Sequence, residues 1–218
     1  MRTGARQWLL LGGAFVLVTL LWNTIWVWPL KVLVVFFHEI SHGVAAVLTG
    51  GRIAGIRFES NESGLTWAAG GWRFAVLNAG YVGSLAWGAA LLVASSWTRK
   101  DRVITAALGA FLALVTVVFV RNPFGFLFGL AAAVGLGLAS RKLSDDVNDL
   151  ILKIIGVTSC GYVIPDVWSD YLYACGSDAR ALSRLTGVPA LVWSLGWIGA
   201  SVAVMGATVW WVSRAPRE

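Results

Sequence analysis

A chain of 218 residues that is 58% hydrophobic and only 13% charged, with a mean hydropathy of +0.75, is too apolar for a soluble domain, where about 25% of residues are charged. The formal charge of +6 is spread over short connections, so the concentrated basic footprint of a nucleic-acid-binding protein is excluded. What remains is a multi-pass membrane protein, expected in the cell membrane, and the 13 Trp residues fit it because amphipathic rings collect at membrane–water boundaries.

The first apolar run, 8–28, follows Arg2 and Arg6 and imitates a signal peptide. It is long and lacks an A-x-A cleavage site before Trp28, so it reads as a retained anchor, with Pro29 marking the turn. The second span, 32–48, is VLVVFFHEISHGVAAVL and stops at Gly50-Gly51. Alternation over 53–67, with Asn61-Glu62-Ser63-Gly64 as turn, predicts a short β-hairpin. Such a ribbon lies at the membrane surface, or dips inward where protein shields its backbone. Further spans are expected at 74–97, 103–120 and 124–139, with Gly80, Gly83, Ser84, Gly88 and Ala89 allowing close helix approach.

The segment 147–173 is less regular, an apolar run containing Pro165, Asp166 and Asp170, and reads as either crossing or re-entrant. A polar loop at 177–187 precedes the last span, 188–212. The fold class is therefore all-α: a polytopic transmembrane helical bundle of six or seven membrane segments, with a β-hairpin after the second span. The whole chain, 1–218, reads as one integral membrane domain. Basic residues fall almost evenly on the two sides, so the positive-inside rule does not fix orientation. Cys160 and Cys175 show no CxxC or metal spacing and read as free thiols.

The chemistry concentrates in the second span. His38 and His42 are the only histidines in the chain, four residues apart around Glu39, in a stretch with no other charge. Positions i and i+4 share a helix face, so both imidazoles can address one ion. Three ionisable groups in hydrocarbon are costly unless they serve a site. The HExxH pattern supplies zinc with two nitrogen ligands, while Glu39 acts as base toward water and returns the proton to a leaving amine.

A catalytic zinc keeps one position open and needs a third protein ligand, which cannot be histidine here. Asp166 is the favoured carboxylate. Asp170, its i+4 partner if a helix starts at Pro165, is the reserve ligand or an outer partner orienting a histidine. Asp149 and Asp178 are less well placed, and Asp178 reads as the N-cap of a following helical turn.

HEISHGVAAVLTGG on an apolar helix, the ribbon after it, NAGYVGS in the next span, and the late IPDVWSD and SDA segments together resemble the site-2 protease family, closest to its compact M50B-like branch. The resemblance covers about 36–189. It implies an intramembrane zinc metalloprotease, with His38, His42 and Asp166 matching the ligands and Glu39 the catalytic acid/base. Two departures stand out: Val167 occupies the place of a glycine that often follows the family's Pro-Asp, and Gly80 is followed by Tyr81 rather than proline. Asn78 is a candidate for holding substrate backbone or an oxyanion, or else for a helix–helix hydrogen bond.

The expected partners are a membrane-anchored protein substrate and the lipid bilayer, with no nucleic acid; self-association is permitted but not demanded. The alternative reading is a non-proteolytic membrane protein that keeps a zinc site for structure, metal handling or partner binding. A transporter is disfavoured, because neither inverted repeats nor a path of intramembrane charges is visible.

Overall fold

The structure, a computed structural model, describes residues 4–22, 24–173 and 176–214. Among them, helix α1 (Gly4–Leu20) leads to α2 (Trp28–Leu48), a hairpin of β1 (Arg52–Phe58) and β2 (Gly64–Ala69), then α3 (Arg73–Trp97), α4 (Asp101–Phe119) and α5 (Pro123–Lys142). The chain continues through α6 (Asp145–Tyr173) and α7 (Asp178–Thr186) to α8 (Ala190–Val212). Six helices, α2 to α6 and α8, are long and apolar enough to cross a membrane, which makes this an integral multi-pass membrane protein.

Two boundaries differ from expectation. The run 8–28 is not one helix. It breaks after Leu20, where the Thr24 hydroxyl donates to the Leu21 carbonyl at 2.6 Å and competes with helical pairing. Pro29 then lies in the first turn of α2 and opens that helix, since the N–H it lacks would have had no partner there. The second difference is α6, which is continuous from Asp145 through Pro165 to Tyr173, so Pro165 is internal and starts no helix. Asp166 and Asp170 still share one face of it. Cys160 is a buried free thiol, while Cys175 lies outside the described residues.

The hairpin forms where expected, with β1 and β2 antiparallel and a bulge between Ile53 and Gly55. Glu62 turns the tip in a left-handed conformation (φ 68°). The ribbon runs back along α2 rather than away from it. At its root, the Trp72 amide donates to Thr49 Oγ1 at 2.9 Å. At its tip, Lys31 pairs with Glu62 at 2.7 Å and Trp28 Nε1 donates to the Ser60 carbonyl at 2.8 Å.

One edge of this ribbon is protected. The Arg121 amide donates to the Ile56 carbonyl at 3.0 Å, and Asn122 Nδ2 donates to the Phe58 carbonyl at 2.7 Å, so the α4–α5 connection satisfies β1. Irregular backbone at membrane depth requires such shielding. Side chains anchor it too: Ile56 and Phe58 are fully buried, and the Phe58 ring meets Phe36 of α2 at 5.0 Å. Phe58→Ala should therefore cost about 3–5 kcal/mol. The expected readout is a lower thermal midpoint in detergent with helical content unchanged at low temperature; an unaltered midpoint would mean the ribbon is held by its backbone alone.

The small residues of α3 bring it against two neighbours. Ser159 Oγ of α6 donates to the Ser84 carbonyl at 2.7 Å, and Gly80 faces α2. This close packing at the centre of the bundle places the histidine-bearing turn of α2 between the ribbon, α3 and α6.

Candidate metal centre

His38 and His42 project from one face of α2, as the i, i+4 spacing requires, with ring centroids 4.7 Å apart. The carboxylate that meets them belongs to Asp178, the first residue of α7. Its Oδ2 lies 3.1 Å from His38 Nε2 and 3.2 Å from His42 Nε2, and one ligand atom from each of the three residues lies within 4.8 Å of the others. Asp178 thus stands in the place expected for Asp166. The N-cap position is taken by Ser177, which frees the Asp178 side chain to turn toward α2. The positive end of the α7 dipole suits a carboxylate there.

Neighbouring groups orient these donors. His42 Nδ1 donates to the Val76 carbonyl of α3 at 2.6 Å, which leaves Nε2 as the lone-pair nitrogen of a neutral ring. That nitrogen faces another acceptor, Asp178 Oδ2, and two acceptors at 3.2 Å call for a proton or a cation between them. Ligands of a tetrahedral zinc with ~2.0–2.1 Å bonds stand about 3.3 Å apart, so the donors fit that ion in identity and the two histidine–carboxylate pairs fit it in separation. Burial would raise the Asp178 carboxyl, but with a proton in that gap the positive charge of His42 and hydrogen bonds from both imidazoles outweigh it and hold the group below its ordinary range.

Glu39 lines the same cavity, a space of about 400 Å³ walled by both histidines, Asp178, the tip and β2 of the ribbon, and α6. Thr66 Oγ1 of β2 stands 2.7 Å from Glu39 Oε2 and 2.8 Å from the Glu39 carbonyl. The carboxylate packs so tightly under β2 that a methyl group on Gly64 would fall 2.3 Å from Oε1. The ribbon therefore clamps the acid in place.

Asp166 and Asp170 line this cavity without joining the three-donor group. Asp170 Oδ2 accepts the Tyr81 hydroxyl at 2.9 Å, and the Tyr81 ring stands edge-on to His38 at 4.6 Å. Tyr81 thus stands between Asp170 and His38. Asp149 pairs with Lys153 in a buried contact on α6. It lies 17 residues before Asp166 on that helix, roughly 25 Å away along its axis. Asn78 Nδ2 donates to the Phe74 carbonyl of its own helix at 2.9 Å and does not line the cavity.

Sequence reasoning missed Thr66, Gly64, Tyr81 and Gly80 as partners of the site. Gly80 had the clearest signal, a glycine in a small-residue span: its added methyl would lie 2.3 Å from His38 Nε2 and 2.6 Å from His42 Nε2. Gly80→Ala is expected to preserve the helical spectrum and weaken binding of a metal ion at these histidines roughly 10–100-fold by turning the imidazoles. A chelator competition titration checks this, and wild-type affinity would show that the rings have room to yield.

No curated protein and no solved structure gives a significant match to the chain. A family model described as Peptidase M50B-like matches residues 10–208, a stretch that takes in the ribbon, α2 with its histidines, and Asp178. The chain belongs to the Peptidase M50B-like family.

Proposed function

We propose that this protein is an intramembrane zinc metallopeptidase that hydrolyses peptide bonds of membrane-anchored protein substrates. The observation that carries the proposal is a His38–His42–Asp178 donor set, its ligand atoms within 4.8 Å of one another, that lines one cavity with the Glu39 carboxylate inside an apolar bundle. Zinc held there supplies Lewis acidity toward water and toward a peptide carbonyl.

The rest is the work of the chain. His42 is kept in one tautomer by Val76, and His38 is braced by Tyr81. Glu39 takes a proton from the attacking water on its carboxylate and passes it to the nitrogen of the departing amine. Thr66 and Gly64 hold that carboxylate at one position through the transfer. β1 has its outer edge covered, whereas β2 carries Gly64, Leu65 and Thr66 along the cavity wall. An unwound substrate segment would pair with β2 as an added strand, which presents its backbone to the site.

Structural zinc sites are closed by four protein ligands, whereas catalytic ones have three and an opening. Three donors beside a cavity favour catalysis over the alternative of a zinc site kept for structure, metal handling or partner binding. The deciding experiment measures zinc content and cleavage of a membrane-anchored reporter by purified protein in vesicles. About one zinc per chain is expected, with turnover lost on chelation and restored by zinc. Stoichiometric zinc with no turnover on any membrane peptide would overturn the peptidase reading and leave the alternative.

A further inference from the structure

A second cavity, about 610 Å³, opens where α6 ends, α7 passes and α8 begins, outside the peptidase site. Its wall includes Tyr171, Leu172, Arg180, Ser183, Arg184 and Leu191. Arg180 and Arg184 are i, i+4 neighbours on α7, so both guanidinium groups serve one face, with Ser183 between them. Arg180 is already oriented, because one terminal nitrogen donates to the Tyr171 carbonyl at 3.2 Å. Its Nε is buried and lacks an acceptor. No carboxylate pairs with either arginine among the described residues. From 171 to 191 the sequence has one acid, Asp178, and that faces the imidazoles.

Two further features define the ligand. The first amides of α8 open beside the cleft, and its N-cap, Pro189, offers no side-chain hydrogen bond to them. Beside the polar groups the cleft is walled by two exposed leucines, Leu172 and Leu191. The place matches this composition: α6 and α8 are membrane spans, and the cleft lies where one ends and the other begins.

We infer that this cleft binds a phosphate group, supplied at the membrane boundary by the headgroup of an anionic phospholipid. Arg180 and Arg184 take the phosphate oxygens, Ser183 adds a hydroxyl, and the surrounding leucines accept the start of the acyl chains. Arginine suits this task because its planar fork matches phosphate oxygens two at a time. The inference is independent of the peptidase reading and stands if that fails.

The test uses full-length protein. In one arm, native mass spectrometry counts phosphatidylglycerol retained after extraction from vesicles of phosphatidylglycerol and phosphatidylcholine. In the other, inorganic phosphate alone is titrated into lipid-free detergent-solubilised protein. Wild type should retain phosphatidylglycerol in preference to phosphatidylcholine, and Arg184→Glu should lower that retention about tenfold or more. Ser183→Asp, which adds a negative charge without removing an arginine, should do the same. Helical content and the thermal midpoint in detergent stay at the wild-type level in both variants, which separates loss of the cleft from misfolding. Binding of inorganic phosphate that both variants abolish, without lipid retention, would support the phosphate site and assign its source to solution. Equal retention by wild type and both variants, with no phosphate binding, would overturn the inference.

Discussion

Alanine at position 178 is expected to give a folded protein that no longer holds zinc. Asp178 supplies the only carboxylate oxygen within reach of both imidazole Nε2 atoms among the described residues, and two histidines alone make a weak site. Removing an outer partner of a ligand costs 10–100-fold in affinity, so removing the ligand itself should exceed about 100-fold. Asp166→Asn is the matched control: that carboxylate lines the same cavity but is not in the donor group, so zinc should remain. Metal analysis after dialysis against a chelator reads both variants. The reverse pattern, zinc kept by Asp178→Ala and lost by Asp166→Asn, would restore the ligand expected from the sequence.

The second large effect belongs to Glu39→Gln. Glutamine keeps the shape and leaves an oxygen for the Thr66 hydroxyl, but it cannot accept and return a proton. General acid–base groups contribute roughly 10²–10⁴-fold, so cleavage of a membrane-anchored reporter should fall by that factor while zinc content stays unchanged. Because Glu39 is not in the donor group, the two readouts separate catalysis from metal binding. Near-normal proteolysis by this variant would sink the assigned role.

Much of this was legible because local patterns carried it. The HExxH spacing fixed two imidazoles and an acid on α2 before any tertiary contact was known, and alternation with a turn located the hairpin. The carboxylate that meets the two histidines was not legible for a geometric reason. Asp166 follows a proline in an apolar run, and Asp178 opens a short polar helix, so hydropathy favoured the first. Only the return of the chain after α6 decides which carboxylate meets α2, and nothing local encodes that return. The same limit hid Thr66, whose hydroxyl reaches Glu39 only because the ribbon folds back along the helix that precedes it. Pro165 misled in another way: it reads as a helix start, yet α6 carries it internally.

His38 and Asp178 are 140 positions apart, and the hairpin and α3 through α6 lie between them. An ion shared by those two side chains would act as a staple across most of the polypeptide. A disulfide closing a loop of comparable length restricts the unfolded chain by on the order of 4–5 kcal/mol, and a coordinate bond pair imposes a restriction of the same kind. Loading with metal would then fasten the last fifth of the molecule to the second helix, so the loaded bundle would be harder to unfold than the empty one.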